Sequence, residues 1–220
     1  MTTLAVTGAS GKTGWRVVAE ALARGWHVKA IVRPDSSLPE GLKGAAIERL
    51  VLTDSQALKA ALQDCDALVI ATGARPSVDL LGPLKVDALA IRDQINACRA
   101  AGVKRVVLVS SLCAGRLWHP LNLFGLILVW KRLGEQWLEQ SGLSWTIVRP
   151  GGLSEDDSRA EREQIVFTGP DQQQSNSIPR QLVAQVCVDA VTSAAAESRI
   201  VEITSQVGKG DLTLMDWLAA

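Results

Sequence analysis

The 220-residue chain has no tyrosine, only two phenylalanines and two histidines. Without tyrosine, every mechanism that uses a phenol as acid or base is excluded. Neither sign of charge is in excess, since Lys plus Arg and Asp plus Glu each total 23. This argues against a broad electrostatic footprint for nucleic acid and leaves room for a small anion site. There is no CxxC, and Cys65, Cys98, Cys113 and Cys187 stand at no metal-ligand spacing. No metal site is expected, and four buried thiols fit a reducing compartment. Long hydrophobic runs are also missing. The most apolar stretch, Leu121 to Trp130, is interrupted by Asn122 and Gly125 and is roughly half the length needed to span a bilayer. No transmembrane segment and no signal peptide are expected, and the cytoplasm is the expected location.

What is present is globular composition, 47% hydrophobic and 21% charged, with no repeat and no low-complexity linker. Short β-rich runs alternate with helical patterns. Strands are expected at Thr3–Thr7, His27–Val32, Ile47–Leu52, Ala67–Ala71, Arg105–Ser110, Trp145–Val148, Ile165–Thr168 and Ile200–Thr204. Helices are expected over Lys12–Arg24, Ser55–Gln63, Val86–Ala101, Leu126–Gln140 and Arg180–Ser193. Gly102 and Gly142 supply stops for two of the helices. Strands separated by helices predict right-handed βαβ units. The expected fold is α/β, a doubly wound parallel Rossmann sheet in a single domain over residues 1–220, with substrate-side loops at about 151–180. The weakest order is expected in Ser154–Arg162 and Asp171–Ser177, which either line a substrate opening or are solvent-exposed loops. Asp211–Ala220 is apolar for a tail and either packs on the domain or meets another chain. Oligomeric state is not legible.

The strongest motif is TGASGKTG, with Gly8, Gly11 and Gly14 between the first strand and the first helix. Glycines there allow a tight turn and a close backbone approach to a pyrophosphate, at a helix N-terminus that favours anions. Ser10 and Thr13 add hydroxyl donors. The bland alternative is a glycine-rich packing turn. Folds that prefer NAD carry an acidic residue about 20 residues past the glycines, at the end of the second strand. Here that strand runs into Arg33. A guanidinium suits a 2′-phosphate, and Lys12 is positioned to assist, so NADP(H) is the expected cofactor. Leu52, closing the third strand, and the turn Thr72-Gly73-Ala74-Arg75 after the fourth are further candidate cofactor contacts. Ser110 and Ser111 end the fifth strand, where ligands sit in open α/β sheets. Lys131 has Glu135 at i+4, which by itself reads as a surface ion pair. Leu117 to Leu126 reads either as core packing at a helix entry or as a wall for a flat hydrophobic ligand, with Trp118 and Trp130 available for stacking. His119, just before Pro120, is a candidate acid or base by residue type but reads more simply as a loop residue.

In this order, TGASGKTG, Arg33, VLVSS and WKRLGEQWLEQSGLSWTIVRPGGL resemble the atypical short-chain dehydrogenase/reductases. The similarity is closest to the small NAD(P)H-binding proteins of plants and cyanobacteria, and it extends to the biliverdin reductase B (flavin reductase) type. It covers about residues 2–205. The resemblance implies that Gly8, Ser10, Gly11, Lys12 and Thr13 form the pyrophosphate turn and that Arg33 meets the 2′-phosphate. It implies that Thr72, Gly73 and Ala74 lie beside the adenosine and its phosphates, and that Pro150 and Gly151 face the nicotinamide. Ser111 corresponds to the active-site serine. Lys131 corresponds to the lysine of a YxxxK motif, which bonds the nicotinamide ribose. The tyrosine of that motif is replaced by Ile127. An ordinary alcohol dehydrogenase or sugar epimerase is therefore disfavoured. The expectation is an NADPH-dependent oxidoreductase acting on a flat conjugated acceptor such as a flavin, quinone or bilin, for which solvent can supply the proton. The alternative is an NADPH-binding sensor or assembly factor without turnover.

Overall fold

The computed structural model describes residues 1–73, 81–114, 116, 118–123, 125–173, 175–208 and 212–220, the side chain of residue 121 apart. Ala74, Arg75, Leu117, Phe124 and Asp211 among the expectations above lie outside the described residues. The chain runs β1 Thr3–Thr7, α1 Gly14–Ala23, β2 His27–Val32, β3 Ala46–Arg49, α2 Ser55–Leu62 and β4 Ala67–Ile70. A π-helical turn Leu84–Leu89 then leads into α3 Ala90–Ala101, followed by β5 Arg105–Val109, α4 Ile127–Glu139 and β6 Ser144–Pro150. The rest comprises β7 Gly152–Ser154, β8 Glu163–Thr168, β9 Ser177–Pro179, α5 Arg180–Thr192, β10 Arg199–Val207 and α6 Leu214–Ala219.

Eight strands form one sheet in the order β3-β2-β1-β4-β5-β6-β10-β8. All neighbours are parallel except β10 and β8, which run antiparallel. This is the doubly wound arrangement, with an antiparallel edge strand where a purely parallel sheet was expected. Such an edge needs no crossover helix. The central strands carry near-continuous apolar runs, LAV in β1, ALVI in β4 and VVLV in β5, because both faces are covered. Leu4 and Val6 of β1 join the core beneath α1 and α5, while Ala5 joins the core beneath α2 and α3. Val107 and Val109 against Val106 and Leu108 repeat the alternation in β5. No described helix is long and apolar enough to cross a membrane.

Other expectations are corrected as well. The third strand ends at Arg49, not Leu52, because its partner β2 ends at Val32 and the last shared bond runs from the Leu50 N–H to the Val32 carbonyl. Leu52 therefore lies in the following turn, packed on the α2 side of the core. The helix expected over Val86–Ala101 begins as a wider π turn, with Asp87 buried inside it. The segment Ser154–Arg162 starts on the last residue of β7 and holds a 3₁₀ turn at Asp157–Glu161, and Asp171–Ser177 ends on the first residue of β9; β7 and β9 pair in parallel as a second small sheet. Finally, Lys131 does not pair with Glu135. The apolar tail packs on the domain itself, where Leu214 is buried and Trp217 stacks on Phe167 at 5.8 Å between ring centres.

Candidate active site

The sheet's winding reverses between β1 and β4, and the loops after these strands touch. Gly8 follows β1 with φ +68°, and a Cβ there would stand 2.8 Å from the Ala71 carbonyl oxygen, so only glycine fits. The Gly11 N–H donates to the Gly8 carbonyl at 2.8 Å. A Cβ on Gly11 would come within 3.0 Å of that oxygen, and one on Gly14 would drive into it. The turn is thus bare of side chains at three points. It leads into α1, which has no side-chain cap at its N-terminus. The Trp15 and Arg16 N–H groups bond the Gly11 and Thr13 carbonyls at 3.1 Å, and the positive end of the helix dipole, with no side chain over it, suits an anion. Ser10 is half-buried, Thr13 is buried and Lys12 is exposed in the same turn.

Arg33 follows β2 at the same edge, exposed, and makes no ion pair among the described residues. The Ser36 N–H donates to the Arg33 carbonyl at 3.1 Å, closing a turn. Arg49 pins that turn through the Pro34 and Ser36 carbonyls at 2.6 and 3.1 Å. The Ser36 hydroxyl is buried without a partner, as are those of Thr72 after β4 and Ser110 after β5. Buried hydroxyls normally find partners. Three unpaired ones beside the ends of β2, β4 and β5 fit a polar ligand lying along this edge. Together with the bare glycine turn, they meet the requirements of a dinucleotide.

The remaining candidates collect around the ends of β4, β5 and β6. The Ser110 N–H bonds the Val148 carbonyl at 2.8 Å and the Leu112 N–H bonds the Pro150 carbonyl at 3.0 Å, so the serine turn lies against the end of β6. Ser111 is half-buried. The Gly151 N–H bonds the Ile203 carbonyl at 2.9 Å. Lys131 of α4 reaches the β4 loop, and a Cβ on Gly73 would lie 3.6 Å from its Nζ. Its partner is Asp87 of the π turn, at 2.8 Å and fully buried. Ile127, at the position the resemblance assigns to tyrosine, is buried with Leu112, Cys113 and Leu128. His119 is half-buried in the segment that links Ser111 to α4, next to Trp118, which is 98% exposed. Leu123 and Leu126 of that segment are exposed too.

Sequence reasoning missed Asp87 and a buried ionic cluster. Arg149 of β6 lies opposite Glu202 of β10 in the parallel register. It donates to both carboxylate oxygens of Glu135 at 2.9 and 2.7 Å, and it stands 3.2 Å from Asp171 and 3.5 Å from Glu202. The Glu202 carboxylate accepts the backbone N–H groups of Asp171, Gln172 and Gln173 at 2.9 to 3.1 Å. Burial lowers the Arg149 guanidinium, but the bonded Glu135 carboxylate, with Asp171 and Glu202, outweighs this and holds it above its ordinary range. The available signal was a lone charge inside each of two apolar strands. All four cysteines are buried and unpaired by disulfides. Burial pushes the Cys98 and Cys187 thiols up to about 12.

The sequence matches the NAD(P)H-binding family over residues 8–194, from the first glycine of the turn to just past α5. The chain belongs to the NAD(P)H-binding family. Its ligand class is therefore a nicotinamide cofactor, in keeping with the bare turn and the unpaired hydroxyls. This NAD(P)H-binding protein is 36% identical over 215 residues to an uncharacterised chloroplastic protein of Arabidopsis thaliana, covering 91% of this chain and 76% of that one. It is 29% identical to the sanguinarine reductase of Eschscholzia californica, covering 96% and 92% of the two chains. Among solved structures, a Bacillus halodurans protein described as an NAD-dependent epimerase/dehydratase matches with a TM-score of 0.86. Their identity is 27%, and the match covers 100% of this chain and 99% of that one. A chloroplastic relative leaves the cytoplasmic expectation without support from the comparisons.

Proposed function

We propose that the protein is an NADPH-dependent reductase of a flat conjugated acceptor, of flavin, quinone or bilin type, that works without a protein phenol. The observation that carries this is Ile127. It is buried in an apolar cluster where a tyrosine acid would stand, and the chain has no tyrosine to substitute for it. Gly8, Ser10, Gly11, Lys12, Thr13 and Gly14 would hold the pyrophosphate. Arg33, with the unpaired Ser36 hydroxyl close by, would take the 2′-phosphate. Leu52, Thr72 and Gly73, with Ala74 and Arg75, would flank the adenosine side. Ser110, Pro150, Gly151 and Lys131 would face the nicotinamide and its ribose. When bound, NADPH supplies a hydride. Ser111 polarises the acceptor through its hydroxyl, Lys131 adds a positive charge held by Asp87, and solvent delivers the proton. Ordinary carbonyl reduction, which needs a placed acid, is disfavoured. The sanguinarine reductase relative supports the kind of reaction.

A second reading, an NADPH-binding sensor or assembly factor without turnover, is favoured by the exposed Trp118 and Leu123 beside the site. Exposed apolar side chains of this size suit a partner as well as a substrate.

The test is NADPH consumption by the purified protein against flavins, quinones, bilins and simple aldehydes, with Ser111→Ala and Arg33→Ala beside it. Turnover is expected with a conjugated acceptor, lowered about tenfold or more in Ser111→Ala. The preference for NADPH over NADH should fall about tenfold or more in Arg33→Ala, which loses a charge-assisted phosphate contact. Turnover of simple aldehydes would defeat the mechanism. Tight binding with no turnover on any acceptor would favour the second reading.

A further inference from the structure

The acidic stretch after β7 lies directly on the glycine turn. Glu155 bonds Lys12. Asp157 takes Arg16 of α1 at 2.6 and 2.7 Å, and Arg16 in turn donates to the Lys12 carbonyl at 2.5 Å. Arg180, the first residue of α5, donates to the Leu153 carbonyl at 3.2 Å. Both carboxylates therefore sit at the N-terminal end of α1, where the helix dipole favours anions. The two pairs differ in shelter. The side chains of Lys12 and Glu155 are 51% and 58% exposed, against 7% for Arg16 and 35% for Asp157.

An exposed pair is weak and exchanges partners readily, whereas the sheltered pair anchors the strap. Lys12 carries one positive charge. It cannot fully serve both the Glu155 carboxylate and a cofactor phosphate, and the two anions repel each other when both are close.

We propose that Glu155 is a specificity-determining residue that acts as a counter-ligand to the cofactor. Its carboxylate holds Lys12, and when the cofactor binds Lys12 passes from Glu155 to a phosphate while Arg16 and Asp157 keep the strap docked. The inference rests on the dinucleotide reading above. Because NADPH carries one more phosphate than NADH, the residual carboxylate opposes NADPH more strongly. Glu155 therefore weakens binding overall and narrows the preference for NADPH.

The experiment measures dissociation constants for NADPH and NADH by quenching of intrinsic tryptophan fluorescence, on the full chain and on Glu155→Gln and Asp156→Asn. Asp156 is the control. It removes the same charge one residue away, and its bonds are to Ser158 rather than to Lys12 or Arg16. Glu155→Gln should tighten NADPH about fivefold and NADH about twofold, the range an exposed charge pair can supply. Asp156→Asn should change either constant by less than about twofold. Unchanged or weaker NADPH binding in Glu155→Gln would overturn the proposal, the latter by making the strap a clasp over the cofactor. Equal tightening by both variants would also overturn it, by reducing the effect to general charge. If no variant, and not the unaltered chain, binds either nucleotide, the dinucleotide reading itself falls, and that result is distinct from equal binding by all three.

Discussion

Two ionic clusters tie late segments of the chain to earlier helices, and burial separates their roles. At the glycine turn, Lys12 and Glu155 are more than half exposed. Beneath the β6 end, Arg149 is 2% exposed and Glu135 and Glu202 are fully buried. The exposed pair can trade partners with water, salt or a ligand at little cost. The buried cluster cannot, because losing one partner strands a charge in a medium that solvates it poorly. The first is thus suited to ligand traffic and the second to geometry. Arg149 fixes α4 through Glu135, one turn beyond Lys131. Glu202 fixes the backbone of residues 171–173 through three N–H bonds.

The largest effect expected is on the buried cluster. Arg149→Met takes from Glu135 and Glu202 their shared buried cation, leaving Glu135 with Arg132 and Glu202 with its three backbone N–H donors. It should lower unfolding stability by about 3–5 kcal/mol, measured by urea denaturation. Adding Glu135→Gln to that variant should restore part of the loss. Glu155→Gln should leave the urea midpoint unchanged. Raising the ionic strength to about 0.5 M, where the screening length shrinks to roughly 4 Å, should weaken nucleotide binding and leave the Arg149 effect intact. A loss below about 1 kcal/mol in Arg149→Met would erase the contrast between the two clusters.

The glycines sharpen the same contrast between ligand-facing and purely structural features. A Cβ at position 14 meets backbone, so Gly14→Ala forces the turn open. It should cost about 1–3 kcal/mol in stability, as overpacking does, and at least about tenfold in nucleotide affinity. Gly142 has φ +75° and nothing within 4 Å of where a Cβ would stand. Gly142→Ala should cost about 1 kcal/mol of backbone strain and leave the nucleotide dissociation constant where it was. If both variants bind nucleotide alike, the turn is a packing device.

The difference between these regions also marks what could be read from sequence. The glycine turn was legible because φ > 0 and close backbone approach demand one residue type at fixed spacing. The parallel core was legible because strands covered on both faces read as near-continuous apolar runs, as in the VVLV that follows Arg105 in β5. Arg33 and Lys131 were candidates by position and resemblance, but the partner of Lys131 was not legible. Glu135, four residues past Lys131, is the sequence-local choice, yet its carboxylate pairs with Arg132 on its own helix and with Arg149 of β6, on which α4 packs. Asp87 lies 44 residues before Lys131, a pairing no local pattern encodes. Likewise, SEDDSR reads as a solvated loop until the topology sets it against Lys12 and Arg16. Local constraints survive in sequence, whereas long-range electrostatic partnerships appear only when the fold is known.

Asp87 and Lys131 fall between the two clusters, with a fully buried carboxylate and an ammonium 13% exposed. They offer the finest test. If Lys131 serves only to neutralise Asp87, the pair belongs with the structural cluster. Asp87→Asn should then change stability and leave ligand binding alone. If Asp87 positions Lys131 for the nicotinamide ribose, the same variant weakens nucleotide binding too. We expect the second outcome, with affinity reduced about threefold to tenfold and stability reduced by about 1–2 kcal/mol. A double-mutant cycle with Lys131→Met separates the alternatives. The two changes should couple by about 1 kcal/mol or more in the binding free energy as well as in stability. Coupling confined to stability would move Lys131 out of the binding site and leave Ser111 as the sole side chain proposed to touch the acceptor.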